Sequence, residues 1–220
     1  MAQRSSEQPP TVVVIDDDPD LREGLRSLLR SVGFQFKLFG SVADFLKADL
    51  PDGPTCLVLD VRMPGQSGLD LQRELSSGPG RQLPIIFITA HVDIPMSVRA
   101  MKGGAIEFLT KPFRDQDLLD AIALGHARDR AWLENEEELS KLQLRYKSLT
   151  PREREVMSFV VSGRLNKQIA ADLGISEITV KVHRGQVMRK MRASSLPDLA
   201  RMSDKLQLPL PKPAHLGRAS

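Results

Sequence analysis

Five short apolar runs, each followed by a segment with helical periodicity, constrain the fold of the first half of this 220-residue chain. The runs lie at 11–15, 34–39, 55–60, 83–89 and 106–110, and the helical segments lie at 19–33, 41–49, 67–77, 94–104 and 115–127. Strands that alternate with helices of this length form a parallel sheet covered on both faces. The runs "VVVI" and "PIIFI" are apolar throughout, as central strands of such a sheet are. We therefore predict an α/β domain with a five-stranded, parallel, doubly wound sheet over residues 11–126.

The last third of the chain has no strand pattern and is predicted to be all-α. The segment "NKQIAADLGISEITVKVHR" predicts a helix-turn-helix, with a helix over 166–173, a turn over 174–176 and a longer helix from residue 177. Gly174 suits the left-handed conformation that ends a helix, and Ser176 can cap the next one. We predict a second domain over residues 149–206.

A charged segment at 127–148 separates the two predicted domains. It contains neither glycine nor proline, which favours a helical linker continuous with the fifth helix of the first domain. A flexible polar tether is the alternative. The tail at 207–220 contains three prolines and little to bury, and we expect it to be disordered.

Charge is unevenly distributed along the chain. Residues 1–125 carry 13 Lys and Arg against 17 Asp and Glu, a net charge of −4, whereas residues 149–220 carry 13 against 6, a net charge of +7. This asymmetry indicates two domains with different partners, and the basic one suits nucleic acid. Chance scatter of surface charge is the alternative, and charge alone does not decide.

Composition also bears on the compartment. Cys56 is the single cysteine, so it cannot form an internal disulfide, and we expect a buried, unreactive thiol in a reducing cytoplasm. The apolar runs are far shorter than the roughly 18 residues of a membrane span. The N-terminal stretch "MAQRSSEQPP" has no apolar core that would indicate a secretory signal. These features predict a cytoplasmic protein without a membrane partner.

Polar side chains stand at the carboxyl ends of four predicted strands, where open parallel sheets bind their ligands. They are Asp16 and Asp17 after the first strand, Asp60 on the third, Thr89 on the fourth and Lys111 just after the fifth. In the strand order 2-1-3-4-5 the first and third strands are neighbours, so three carboxylates would converge and repel one another. A hard divalent cation such as Mg²⁺ would offset that repulsion. A lone carboxylate beside a metal, an ammonium and a hydroxyl predicts phosphoryl transfer onto Asp60.

Some of these residues have simpler explanations when each is taken alone. The acidic run Asp16–Asp18 could cap the first helix, and for Asp18 capping is the better explanation. Thr89 alone would be an ordinary strand residue. The conjunction of four strand ends makes the prediction specific.

Four segments of the first half, "VVVIDDDP", "LVLDVRMPG.SG", "FITA" and "EFLTKPF", together carry a family resemblance. They resemble the receiver domain of two-component response regulators, which has a flavodoxin-like fold. The resemblance implies that a sensor histidine kinase phosphorylates Asp60. It also implies a Mg²⁺ ion held by Asp17, Asp60 and the backbone carbonyl of Arg62, with Asp16 assisting.

The receiver resemblance further implies a conformational switch. Thr89 and Lys111 would be the switch and charge residues, Phe108 the switch aromatic, and the Lys111–Pro112 peptide bond would be cis. Phosphorylation would move Thr89 and let the Phe108 ring turn inward, so that the fourth helix, fifth strand and fifth helix become a homodimer surface. An ordinary core aromatic is the alternative role of Phe108. The receiver would catalyse its own phosphoryl transfer and dephosphorylation, and the chain would otherwise not be an enzyme.

Helical periodicity divides the second helix of the helix-turn-helix into two faces. Val180, Val187 and Met191 form the expected core stripe, whereas the opposite face carries apolar residues and a glycine that suit a docked partner. The predicted DNA contacts, on this face and beside it, are Lys167, Ile178, Thr179, Lys181, Val182, Arg184, Gly185, Arg189 and Lys190.

We assign roles to these contacts from the chemistry of DNA. Lys181 would reach base edges or phosphates, Val182 would touch thymine methyl groups, and Gly185 would permit close approach. The other basic residues would contact phosphates. His183 lies nearer the core stripe, which favours a packed structural role over base reading.

Residues 149–203 resemble the LuxR-type DNA-binding domain in the pattern "LTPREREV...G..NKQIA..LGIS..TVK.H...VM.KM". Together with the receiver, this pattern resembles the FixJ-like branch of two-domain regulators. The resemblance implies a phosphorylation-dependent transcription regulator, usually an activator, whose partners are a two-fold-related DNA site and RNA polymerase.

Two other functions deserve comparison. Phosphatases of the haloacid-dehalogenase type also use an aspartate nucleophile with Mg²⁺, but they usually carry a second aspartate two residues later, where this chain has Arg62. A receiver used only for phosphorelay or protein interaction is the other alternative. The basic second domain and its apolar helix face argue against it.

Overall fold

The computed structural model describes residues 8–78, 80–90 and 93–209. Its elements in chain order are β1 (Thr11–Ile15), α1 (Pro19–Ser31), β2 (Gln35–Phe39), α2 (Val42–Leu46), β3 (Thr55–Asp60), α3 (Gly68–Ser77), β4 (Ile85–Thr89), α4 (Ile94–Lys102), β5 (Glu107–Thr110), α5 (Asp115–Lys147), α6 (Pro151–Val161), α7 (Asn166–Leu173), α8 (Glu177–Met191) and α9 (Leu196–Lys205). The contacts divide the chain between Asn135 and Glu136 into two compact units.

The first unit is built on a parallel sheet with the strand order β2-β1-β3-β4-β5. Every residue of β1, β3 and β4 is buried, while the edge strands β2 and β5 are partly exposed. Burial on both faces explains why the central strands are continuously apolar. The predicted five-stranded, doubly wound α/β fold is confirmed.

Two apolar clusters cover the two faces of the sheet. On one face, Leu57 and Phe87 pack with Leu71 of α3 and with residues of α2 and α4. On the other face, Val14 packs with Leu29 of α1 and with residues of α5. This three-layer arrangement leaves the carboxyl ends of the strands at one open edge.

Several boundaries differ from the sequence prediction. The second helix, predicted over 41–49, ends at Leu46, where the Ala48 N–H bonds to the Phe45 carbonyl in a closing turn. β2, β4 and β5 each begin one or two residues later than predicted. The first helix begins after Asp18, whose carboxylate accepts hydrogen bonds from the N–H groups of Asp20 and Leu21. Capping is therefore the role of Asp18.

The predicted linker belongs to one continuous helix of 33 residues, α5, rather than to a flexible tether. Both ends of the predicted range 127–148 contribute to the units that they were predicted to separate. Asp129 is buried in the first unit, and Leu142 is buried in the apolar core of the second. The linking part of α5 is thus shorter than predicted.

The second unit packs α6, α7, α8, α9 and the end of α5 around one apolar core. Gly174 ends α7 in the left-handed conformation, with φ of 63°, and the Ser176 hydroxyl accepts a hydrogen bond from the Thr179 N–H at the start of α8. The tail was predicted to begin at residue 207, but Leu208 packs against the core. Residues 210–220 lie outside the described residues.

Within the described residues, no helix is both long enough and apolar enough to cross a membrane.

Candidate phosphoacceptor pocket and nucleic-acid interface

The register of the sheet brings three aspartates together at its carboxyl edge. Ile15 pairs with Leu59, so the next residue of each strand, Asp16 and Asp60, lies at the same level. Oxygen atoms of Asp16, Asp17 and Asp60 lie within 4.8 Å of one another. Asp16 and Asp60 are buried and Asp17 is exposed, so the cluster opens to solvent on one side. The sequence predicted this convergence.

Lys111 bridges the two buried carboxylates of this cluster. Its Nζ lies 2.7 Å from Asp16 Oδ2 and 2.9 Å from Asp60 Oδ2. Burial alone would lower the pKa of Lys111, but its hydrogen bonds to both carboxylates outweigh that effect and raise the pKa, so the ammonium stays charged. Burial raises the pKa of Asp16, although the hydrogen bond from Lys111 opposes the rise. The Lys111 ammonium is therefore in contact with two carboxylates, and the third, Asp17, lies close by.

Backbone groups fix the loops around the cluster. The Arg62 N–H donates to Asp60 Oδ1 over 3.1 Å, and the Asp18 N–H donates to Asp16 Oδ1 over 2.9 Å. A Cβ atom on Gly68 would collide with the Asp60 carbonyl oxygen, so only glycine lets α3 begin this close to the strand end. The sequence reasoning did not identify this packing.

The structure also adds Arg22 of α1 to the surroundings of the pocket. Its Nη1 donates to the backbone carbonyl of Asp16 over 2.6 Å. An arginine within the first turns of α1 carries no sequence signal that separates this contact from an ordinary solvated charge.

The predicted switch residues lie on the neighbouring strands. Thr89 ends β4 and is buried, and its carbonyl accepts a hydrogen bond from the Lys111 N–H over 2.8 Å. The half-buried ring of Phe108 on β5 lies with its centroid 6.1 Å from that of Phe87. The Lys111–Pro112 bond is cis, as expected.

The donor set of the cluster fits a hard divalent cation. Three carboxylates converge with one ammonium, and oxygen ligands of this kind suit Mg²⁺. The backbone carbonyl of Arg62 belongs to the loop that the Asp60 carboxylate holds. Chemically, this arrangement presents Asp60 to an incoming phosphoryl group with positive charge beside it.

In the second unit, α8 presents an unusual surface. Val180, Val187 and Met191 are buried, as predicted, and hold the helix on the core. On its outer face, Ile178 is 74% exposed and Val182 is 56% exposed. A Cβ atom on Gly185 would meet no atom within 4 Å, so internal packing does not require glycine there. An apolar exposed stripe on the second helix of a helix-turn-helix suits a major groove.

Five of the other predicted DNA contacts fall into two groups. Lys167, Lys181 and Arg189 are exposed. Thr179 and Arg184 are partly buried. The Thr179 hydroxyl contacts the Ser176 hydroxyl, and Arg184 Nη1 donates a 2.6 Å hydrogen bond to Asn166 Oδ1.

Lys190 and His183 are placed differently from the exposed contacts. The Lys190 Nζ lies 2.6 Å from Glu153 Oε2 and so joins α8 to α6 within the unit. For the predicted contact with DNA phosphate, this ammonium would have to leave a partly buried ion pair. His183 is half-buried, in keeping with the packed role expected from its angle.

Comparison with known proteins assigns both units to families. The model of the response regulator receiver domain matches residues 12–123, and that of the bacterial regulatory proteins of the luxR family matches residues 147–203. The chain belongs to the response regulators. It joins a receiver domain to a LuxR-type DNA-binding domain, as the sequence resemblance implied.

Full-length relatives share this arrangement. The chain is 54% identical to Nodulation protein W of Bradyrhizobium diazoefficiens over 195 residues, which cover 89% of this chain and 86% of that protein. It is 45% identical to the transcriptional regulatory protein FixJ of Azorhizobium caulinodans, covering 87% and 90% of the two chains. The solved structure of the response regulator StyR matches 90% of this chain and all of that one, with a TM-score of 0.79 and 49% identity.

Membership of this family decides between the functions compared above. The family is one of transcription regulators rather than dedicated phosphatases, as the name of the relative FixJ indicates, and the LuxR-type domain implies DNA as a partner. The receiver implies a sensor kinase as the second partner, and regulation by phosphorylation is the norm for the family.

Proposed function

We propose that this response regulator accepts a phosphoryl group on Asp60 from a sensor histidine kinase and then binds specific DNA as a homodimer. The observation that carries the proposal is the Asp60 carboxylate, set at a strand end among two further carboxylates and the Lys111 ammonium. The exposed apolar face of α8 supplies the output surface.

The phosphoryl transfer follows from the charges in the pocket. An Asp60 oxygen forms a bond to phosphorus while the bond from phosphorus to the donor histidine nitrogen breaks, and that nitrogen keeps the electron pair. Lys111 offsets negative charge on the phosphoryl oxygens, and the Thr89 hydroxyl donates to one of them. Asp17, Asp60 and the Arg62 carbonyl would hold Mg²⁺, with Asp16 assisting, and the ion supplies further charge neutralisation when bound.

We propose that the same pocket also catalyses self-dephosphorylation: water attacks the phosphorus, the bond from phosphorus to the Asp60 oxygen breaks, and the products are inorganic phosphate and the free Asp60 carboxylate. Arg62 lies beside the pocket with an exposed side chain, where it could govern how long the phosphoryl group survives. Apart from this chemistry on itself, the protein is not an enzyme.

Dimerisation is proposed to use the face of α4, β5 and α5. Ile94, Val98 and Met101 of α4 and Leu124 of α5 are all exposed there. Exposed apolar side chains in such a cluster mark an interaction surface. Movement of Thr89 and the Phe108 ring on phosphorylation would repack this face, because Phe108 already contacts the core beneath it.

In the DNA complex, α8 enters the major groove. Val182 contacts thymine methyl groups, Lys181 reaches base edges or phosphates, and Gly185 lets the helix approach closely. Lys167, Arg184 and Arg189 contact phosphates. The dimer binds a two-fold-related site in the cytoplasm and activates transcription through RNA polymerase.

The phosphoacceptor is tested by intact-mass spectrometry after incubation with acetyl phosphate and Mg²⁺. The wild-type chain should gain one phosphoryl group, and Asp60→Asn should gain none. Asp52→Asn, which changes an exposed aspartate on the approach to β3, is the matched control and should label normally. Equal labelling of Asp60→Asn would place the phosphoacceptor elsewhere.

A further inference from the structure

A second buried ionic cluster lies at the amino edge of the sheet, opposite the phosphoacceptor pocket. The Asp129 carboxylate of α5 is fully buried and pairs with Arg81, whose Nε lies 3.0 Å from Asp129 Oδ1 and whose Nη2 contacts Oδ2. The Thr55 N–H, at the start of β3, donates to Asp129 Oδ2 over 2.6 Å. Arg81 also donates to the carbonyl oxygens of Pro51 and Gly53.

The preceding turn of α5 is held at the same edge. His126 Nε2 lies 3.0 Å from the carbonyl oxygen of Thr11 on β1. A Cβ atom on Gly125 would lie 2.5 Å from Cys56 Sγ on β3, so this turn lies directly against the sheet. Residues 125–129 are therefore fixed to β1, β3 and the segments that precede β3 and β4. We call Arg81, Gly125, His126 and Asp129 the amino-edge clamp.

Burial of the Asp129 carboxylate indicates that this attachment is specific. An unpaired buried carboxylate is costly, and this one is compensated only in a single position of the helix, where Arg81 and the Thr55 N–H both reach it. A helix rotated or displaced at this turn would leave the Asp129 carboxylate buried without a partner and would take the counter-charge away from the Arg81 guanidinium. The clamp thus fixes both the position and the rotation of α5.

The clamp lies where α5 leaves the receiver. Asp129 is the last fully buried residue of α5 in the first unit, and the boundary between the units follows between Asn135 and Glu136. The helix continues without a break to Lys147, and Leu142 and Tyr146 pack in the core of the second unit. One continuous helix, α5, therefore contributes buried residues to both units.

We propose that the amino-edge clamp couples the two domains by holding α5 rigidly on the receiver, so that phosphorylation of the receiver controls DNA binding. This inference rests on the proposed function. Arg81 and Asp129 are positioning residues in this scheme, since they contact neither the phosphoryl group nor DNA. Without the clamp, the receiver would still be phosphorylated, but the change would not reach the DNA-binding domain.

The test measures how many fold acetyl phosphate and Mg²⁺ raise the DNA affinity, and this increase is the ratio compared below. The DNA is a duplex selected from a random pool by the wild-type chain. We expect a ratio of about tenfold or more for the wild type and about twofold or less for Asp129→Asn, with equal phosphorylated fractions. Glu134→Gln removes one charge from an exposed site of the same helix and should keep the wild-type ratio. Measurements are made at a temperature at which circular dichroism shows every variant folded.

A second variant separates coupling from stability. Two glycines inserted after Asn135 interrupt the helix but leave the clamp intact. They should also lower the ratio of DNA affinities to about twofold or less. Asp129→Asn should lower the melting temperature of the receiver by roughly 10 °C, because a buried ion pair loses one charge. A wild-type ratio in the insertion variant, or in folded Asp129→Asn, would overturn the inference. If phosphorylation did not change the DNA affinity of the wild-type chain, the proposed function would be contradicted, and the inference would fail with it.

Discussion

At the scale of single residues, Lys111 accounts for much of the pocket's behaviour. Its ammonium bridges Asp16 and Asp60 and offsets the repulsion between these two buried carboxylates. Phosphorylation adds further negative charge at the same place, so one lysine does not neutralise the whole site. The residue types at the strand ends made this pocket predictable from the sequence, because parallel strands bring their carboxyl ends to one edge.

Replacing the bridging cation should make the receiver more dependent on metal. In Lys111→Met the carboxylates lose their shared counter-charge, so the melting temperature should fall in the absence of metal. Added Mg²⁺ should then raise the melting temperature more than it does in the wild type, because the ion offsets the repulsion between carboxylates that Lys111 no longer neutralises. Lys102→Met, on the exposed surface of α4, is the control in a thermal titration with Mg²⁺. An identical Mg²⁺ response of Lys111→Met and wild type would argue against a metal beside Lys111.

Two exposed helix glycines offer a matched test of the DNA-binding face. Gly24 of α1 and Gly185 of α8 both have room for a Cβ atom, so alanine at either position should stabilise its helix by about 0.5–1 kcal/mol. Only Gly185→Ala should weaken DNA binding in a fluorescence anisotropy titration, since only Gly185 is proposed to approach the groove. Equal DNA affinity of both variants would remove Gly185 from the interface.

At the scale of elements, local signals predicted helix starts better than helix ends. Ser176 caps α8 as predicted, and its hydroxyl accepts a hydrogen bond from the Thr179 N–H. The end of α2 and the beginnings of three strands were missed, because packing against the rest of the unit decides them. The pairing of Lys190 with Glu153 was missed for the same reason, since the two residues are joined only by the packing of α8 on α6.

The Glu153–Lys190 pair makes the second unit sensitive to acid. Burial would raise the pKa of Glu153, but its hydrogen bonds to Lys190 and to the Thr150 N–H outweigh burial and lower it. The stabilisation is therefore present above the ordinary glutamate pKa and is lost as the pH falls through the lowered value. Glu153→Gln should flatten the loss of stability between about pH 5 and pH 3 in urea titrations. An unchanged pH profile would show that Glu153 is not the group responsible.

Lys190 can be separated from the exposed lysines of α8 by two measurements on the same variants. Lys190→Gln should lower the melting temperature of the DNA-binding domain more than Lys181→Gln, because only Lys190 is in the ion pair with Glu153. Lys181→Gln should lower DNA affinity more. If Lys190→Gln instead lowered DNA affinity more than Lys181→Gln and left the melting temperature unchanged, the predicted contact of Lys190 with phosphate would be supported.

At the scale of the whole molecule, the sequence indicates two domains but misplaces the boundaries of the linker. Composition predicts a charged linker over 127–148, but Asp129 is buried in the first unit and Leu142 in the second. Arg81, the partner of Asp129, lies 48 residues earlier in the chain, and Leu142 shares its core with residues as far away as Leu199, so periodicity alone does not reveal either placement. Nothing in the charge pattern distinguishes a buried aspartate from its solvated neighbours in α5.

The revised boundary predicts which fragment of the second unit is stable. A fragment that begins at residue 149 lacks Leu142, Tyr146 and the Glu138 partner of Lys205, all of which a fragment from residue 136 retains. Because a buried leucine alone contributes about 2–5 kcal/mol, the shorter fragment should be less stable by at least about 2 kcal/mol in urea unfolding. Equal stability of the two fragments would show that the end of α5 is not part of that core.

The most direct test of the whole account is DNA affinity measured with and without a phosphodonor, in the wild type and in Asp60→Asn. We predict that acetyl phosphate with Mg²⁺ raises the affinity of the wild type for its selected duplex by about tenfold or more and leaves Asp60→Asn unchanged. An equal rise in Asp60→Asn, or no rise in the fully phosphorylated wild type, would contradict the account.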